Sequence, residues 1–314
     1  MRQIVAALSL AASIVCATSP YGAETQTETQ VDGYTIECKG IESVLQSSLK
    51  MDAKTLQNYD SAKTITFIDG VLAYRYGGTR GTQISPWLAS TYALRHLEQF
   101  CKDRDLARLP KILAQRDWLA KNLVARKSGA EEFLVIPYDF PNPPYSSKPG
   151  WTSALAQAST LSLLARVRPK QHDPNVEMVA AAFAIPAVKG GLYSDYDRAT
   201  IWWEEVATPE RPSMVVNGGA IALYILAADL DVLPITTPLH ENLAVKIEKA
   251  KRALLLMLPR LVPSEGKILY DLSGTNFRNK GHYAHIATVE VLSWMQTDGY
   301  LSAAELKTIA ELKK

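Results

Sequence analysis

From residue 86 onward, apolar side chains recur every three or four positions, and this spacing predicts a succession of amphipathic helices. Pro86 to Phe100 carries Leu88, Tyr92, Leu94 and Leu97, with Pro86 suited to a first helical position. Pro110 to Val124 repeats the pattern with Ile112, Leu113, Trp118, Leu119 and Leu123. Trp151 to Val167 begins with Thr152-Ser153 near its cap and stops before Pro169. The same reading predicts helices at Val176 to Ile185, Val215 to Leu230, Leu239 to Met257, Tyr283 to Met295 and Ser302 to Lys313.

Ahead of these the pattern is different. Tyr34 to Cys38 alternates as a short strand does, and Gly40 to Leu49 has helical spacing. Thr64 to Ile68 and Val71 to Tyr76 flank Asp69-Gly70, a strong hairpin signal because both turn positions accept positive φ. The expected fold is therefore mainly α, with helical hairpins arranged around an axis and a small N-terminal β-hairpin region. Periodicity accommodates an incomplete (α/α) toroid, a bundle or a solenoid equally well.

Composition narrows the class rather than the fold. The chain has 314 residues, 47% hydrophobic and 21% charged, as in globular proteins. A formal net charge of +2 gives no support for a nucleic-acid partner, which would need a strong basic excess or stripe. Arg2 followed by the apolar Ile4 to Val15 reads as a secretory signal, with cleavage after Ala17 or Ala23. That stretch is too short to span a bilayer. The expectation is an exported protein, periplasmic or secreted, with residues 1–23 a signal peptide, 24–83 an N-terminal segment and 84–314 a helical domain. Export in turn predicts a disulfide between Cys38 and Cys101, the two cysteines beyond the signal.

Three blocks carry candidate chemistry. Pro137-Tyr138-Asp139-Phe140-Pro141 leads into Trp151-Thr152-Ser153-Ala154-Leu155-Ala156-Gln157. Trp202-Trp203-Glu204-Glu205 is followed by Val215-Val216-Asn217-Gly218. Leu269-Tyr270-Asp271-Leu272 precedes His282 and His285. Indole faces suit the C–H groups of sugar rings, and carboxylates beside them can move protons or accept from hydroxyls.

In this order and spacing the blocks resemble the C-terminal catalytic region of the D-glucuronyl C5-epimerases, over roughly residues 84 to 294. The resemblance implies an (α/α) barrel domain that inverts C5 of glucuronic acid residues within a polysaccharide such as heparosan, without a cofactor. C5 inversion needs a proton-transfer group on each face of the sugar ring, and hydrogen bonds or positive charge for the enediolate-like carboxylate. Carried over residue by residue, the family's glutamate falls on Glu205 and the tyrosine of its Tyr-Asp-Leu block on Tyr270. Its remaining tyrosine positions hold Val206 and Gly281, and an arginine position holds Ser273. His282 is the better substitute acid or base, because an imidazole titrates near neutrality. Glu205, Tyr270 and His282 are thus the expected catalytic residues. Tyr138, Trp151, Gln157, Trp203, Glu204, Asn217, Arg278, Tyr283 and His285 are expected to bind substrate.

His282 and His285 share a helical face, but no third ligand accompanies them, so no metal is assigned. A polysaccharide lyase would use the same carbanion, and a silent glycan-binding protein would explain Val206 and Gly281. The expected partner is a uronate-containing polysaccharide, and nothing in the sequence opposes a homodimer.

Overall fold

The computed structural model describes residues 28–31, 33–41, 64–170, 173, 175–261, 270–272, 289–296, 299, 301–302 and 306–307. The signal segment, most of the helix expected from Gly40 to Leu49, and Arg278, Gly281, His282, Tyr283 and His285 lie outside these residues.

Strands β1 (Glu28–Val31) and β2 (Tyr34–Glu37) form an antiparallel ribbon. Next come β3 (Ile65–Ile68), β4 (Val71–Gly77) and β5 (Gly81–Ile84), a three-stranded antiparallel sheet. Asp69 (φ 51) and Gly70 (φ 80) make the expected tight turn between β3 and β4. Helix α1 (Pro86–Asp103) starts at Ser85, whose side chain accepts from the Leu88 N–H, with Pro86 at its first position. Its far end joins the N-terminal ribbon through the Cys38–Cys101 disulfide, with Cα atoms 5.7 Å apart. Helix α2 (Leu109–Lys121) packs on α1 and ties down the β3–β4 turn. There the Gln115 amide donates to the Gly70 carbonyl and its Oε1 accepts from the Leu72 N–H, at 2.8 and 2.9 Å.

Short strands then alternate with helices: β6 (Val124–Ser128), β7 (Glu131–Val135), β8 (Pro137–Tyr138) and β9 (Trp151–Thr152) precede α3 (Ala154–Arg166). All thirteen residues of α3 are buried, and Ser153 caps it by accepting from the Ala156 N–H. After it follow β10 (Val167–Pro169), α4 (Asn175–Ala181), β11 (Tyr193–Asp195), β12 (Ile201–Trp203), α5 (Val216–Asp229) and α6 (Thr237–Leu261). Strand β10 pairs with β2, so the N-terminal ribbon shares its core with the later chain.

The expectation of a mainly α, incomplete toroid is corrected. The helices pack as a row, α2 on α1, α1 on α3, α3 on α5 and α5 on α6, and five small antiparallel sheets fill the connections among the described residues. The fold is mixed α/β. Runs such as Phe133-Leu134-Val135 and Ile201-Trp202-Trp203 are too short to close helical turns and bury both faces as strands instead.

Candidate functional site

The site forms where three separate segments converge on the start of α5. Residues just past β12 run beside α3, with the Ala154 N–H on the Glu204 carbonyl and the Ala207 N–H on the Thr152 carbonyl, both at 2.8 Å. From the other side, residues 270–272 pair with residues 214–216. The Val216 N–H donates to the Tyr270 carbonyl at 2.9 Å and the Leu272 N–H to the Met214 carbonyl at 3.1 Å.

This geometry separates the two adjacent glutamates. Glu204 is fully buried, and its Oε2 accepts from the Ser213 N–H (2.9 Å), the Ser213 hydroxyl (2.7 Å) and the Met214 N–H (2.8 Å). It thereby holds Met214 at φ 47, a conformation few side chains adopt unaided. Burial pushes the Glu204 carboxyl above the ordinary range, against the opposing effect of these donors. Glu205 points the other way, over Gly218. A Cβ on Gly218 would lie 2.2 Å from Glu205 Oε2, so only glycine leaves room for this carboxylate against the first turn of α5. Gly219 does the same for the Trp202 indole, which would come within 2.4 Å of a Cβ.

The Tyr270 hydroxyl donates to Glu205 Oε1 at 3.2 Å and is also hydrogen-bonded by the Asn217 side chain. Beside this pair sits a second one, in which the Tyr145 hydroxyl donates to Asp271 Oδ2 at 3.2 Å. Burial is the main cause that raises the pKa of both phenols well above the ordinary tyrosine value, and the Glu205 and Asp271 carboxylates add to it. The Tyr145 phenol feels Glu205 and the Tyr270 phenol feels Tyr145, so the two pairs form one electrostatic unit. Both phenols are proton donors at neutral pH, and the carboxylates are the acceptors.

A cluster of aromatic rings continues from here. Tyr138 stacks on Trp151 with ring centroids 4.0 Å apart and lies edge-on to Phe140 at 5.4 Å. The Trp151 N–H donates to the Phe140 carbonyl at 2.8 Å. Burial raises the Tyr138 phenol too, while hydrogen bonds from Ser85 and the Trp87 backbone work against it and Glu205 adds to it.

Of the expected site residues, Glu205, Tyr270 and Asn217 meet directly, with Tyr138 and Trp151 alongside. Three assignments are corrected. Trp203 is fully buried, its N–H donating to the Phe183 carbonyl at 3.3 Å, so neither ring face can receive a sugar. Glu204 is committed to the 213–214 turn. Gln157 is fully buried and pins β7, accepting from the Ile136 N–H at 3.0 Å and donating to the Leu134 carbonyl at 2.8 Å. Tyr145 and Asp271 were not assigned from sequence. Asp271 sits inside a quoted block, and Tyr145 follows Pro143-Pro144 in a connection without periodicity. Among the described residues no three His, Cys, Asp or Glu side chains are grouped to hold a metal ion. Nor is any helix among them long and apolar enough to cross a membrane.

The sequence pattern of the D-glucuronyl C5-epimerase C-terminus matches residues 131–309, more than half of the chain. The chain is 29% identical over 208 residues to the D-glucuronyl C5-epimerase of Caenorhabditis elegans, covering 58% of this chain and 31% of that protein. It therefore spans less than a third of that relative's length.

Proposed function

This chain belongs to the D-glucuronyl C5-epimerase C-terminus family, and on that premise we propose that it inverts C5 of uronate residues within a polysaccharide. The observation that carries the proposal is the juxtaposition of two phenol–carboxylate pairs, Tyr270–Glu205 and Tyr145–Asp271, at one helix start. Epimerisation needs one group to take the C5 proton and another to return a proton to the opposite face. Glu205 takes the C5 proton. The Tyr145 hydroxyl delivers a proton to the carbanion from the other side and regains one from solvent. Even a phenol made less acidic by burial is far more acidic than a C–H beside a carboxylate, so this delivery runs downhill. Tyr270 and Asn217 orient Glu205, and Asn217 Oδ1, which accepts from no donor among the described residues, suits a sugar hydroxyl. The disulfide supports including export in the proposal.

The test is incubation of a panel of uronate polysaccharides with the protein in deuterated water. Deuterium at C5 with both epimers present is expected. Absorbance of an unsaturated uronate would instead mark a lyase that expels the C4 substituent from the same carbanion. A second reading, glycan binding without chemistry, is favoured by one observation. Val206, in place of a family tyrosine, is 2% exposed and offers no proton. Binding without exchange across the panel would establish that reading and overturn the first.

A further inference from the structure

We propose that Arg80 and Tyr76 form a subsite for the carboxylate of a sugar flanking the one held at Glu205 and Tyr270. This rests on the reading of that site as a uronate site. Both residues precede residues 131–309, so the family match assigns them nothing.

The turn joining β4 to β5 is built to aim Arg80. Gly77 (φ 73), Gly78 (φ 54) and Gly81 (φ 61) bracket a single helical turn at Gly78–Arg80, and an added Cβ on any of the three would meet nothing. Positive φ at three positions, not crowding, is what calls for glycine here. The Gln83 amide donates to the Arg80 carbonyl at 2.7 Å and fixes the fold-back. The Arg80 guanidinium then lies 4.9 Å from the centroid of the Tyr76 ring.

The other arginines stacked on rings are committed elsewhere. Arg104, over Phe100, donates to the Thr29 hydroxyl at 2.9 Å, and Arg116, over Tyr34, pairs with Asp173 at 2.5 Å. Arg80 is half-exposed and pairs with no carboxylate among the described residues. Its planar fork is pre-set on the ring and matches a carboxylate in a two-pronged contact.

The ring beneath it leads to the site. Tyr76 packs on Phe140 at 4.7 Å, Phe140 lies edge-on to Trp151, and Trp151 is stacked on Tyr138. The Tyr76 and Tyr138 phenols both approach Ser85, and Tyr138 in turn feels Glu205. The partly exposed Tyr76 and Trp151, with Phe140 and Tyr138 buried between and beside them, end in a guanidinium that has no carboxylate partner among the described residues. This suits a polymer whose carboxylates recur along its length, its sugar C–H groups against the exposed parts of Tyr76 and Trp151 and its charge at the arginine.

The test is calorimetric titration of a heparosan octasaccharide, and of a trisaccharide with a single glucuronate, into the native protein, Arg80→Gln and Arg80→Lys. Arg80→Gln should weaken octasaccharide binding about tenfold and flatten its salt dependence, with trisaccharide affinity unchanged. Arg80→Lys should fall between, keeping the charge but not the fork. Unchanged octasaccharide affinity in Arg80→Gln, equal loss on both ligands, or no octasaccharide binding by the native protein overturns the subsite. C5 exchange measured in parallel separates the two proposals. Loss of the predicted binding pattern with exchange intact removes the subsite alone, whereas the pattern without exchange removes the reaction alone.

Discussion

Replacing Gly218 by alanine tests the site through a single methyl group. The new Cβ would stand 2.2 Å from Glu205 Oε2 and 2.5 Å from both its Cβ and Cγ. Carbon atoms pack comfortably at about 3.5 Å, so the Glu205 side chain has to retreat by about 1 Å along its whole length. Rotating only the carboxylate does not relieve the clash, because the stem is as close as the tip. The retreat takes Oε1 off its 3.2 Å contact with the Tyr270 hydroxyl. A misplacement of about 1 Å in a catalytic group costs on the order of 10²-fold in rate. Stability should move less. Alanine gains up to about 1 kcal/mol over glycine inside a helix, and overpacking costs ~1–3 kcal/mol. The net expectation is a loss of up to about 2 kcal/mol, read as a fall of several degrees in Tm. The assay is deuterium incorporation at C5 beside a thermal melt. Exchange at the native rate together with an unchanged or higher Tm would refute the seating of Glu205 on Gly218.

Tyr270→Phe deletes one hydroxyl whose net hydrogen-bond contribution to stability is about 1 kcal/mol. C5 exchange should fall ~10²–10⁴-fold with Tm changed by only a few degrees. Full exchange in this variant would remove Tyr270 from the chemistry. Glu204→Gln should change how stability depends on pH. Burial raises the folded-state pKa of Glu204, so its contribution is fully present below the ordinary glutamate range and is lost as pH rises through the raised value. Glutamine stays neutral and can still accept from the 213–214 backbone. Tm of the native protein should therefore drop more between pH 5 and pH 8, in round numbers, than Tm of the variant. Parallel profiles would show that Glu204 is ionised throughout.

The elements with local chemical signatures were legible in the sequence. Asp69-Gly70 specifies its turn, Ser85-Pro86 specifies the start of α1, and Ser153 caps α3, because each depends on neighbours within four residues. The arrangement of helices was not legible, since an apolar stripe tells what a helix buries but not which helix it meets. The strands between helices were missed for a related reason. At two or three residues, β8, β9 and β12 show too few positions for a period of two to register. Gln157 and Trp203 were misassigned because polar or amphipathic residues in a motif look alike whether they bind a ligand or satisfy a buried backbone. Tyr145 lies in an aperiodic connection, and only the fold brings it to Asp271, 126 positions away.

In the proposed reaction the valine at position 206, where the resemblance places a tyrosine, bears less on proton transfer than its place in the motif implies. Burial alternates along the segment after β12: Glu204 is fully buried, Glu205 is partly exposed, and Val206 is buried again at 2%. Residues 204 and 206 therefore face the core together, and their polar groups converge on Ser213. Its hydroxyl donates to Glu204 and accepts from the Val206 N–H. A change at 206 is a change in that core face, not in the face Glu205 presents to Tyr270. In the proposed reaction the protons move through Glu205 and Tyr145, which are hydrogen-bonded to Tyr270 and Asp271 and not to residue 206. A valine there is compatible with working chemistry so long as a second phenol comes from elsewhere. In the proposed reaction Tyr145, hydrogen-bonded to Asp271, is that phenol.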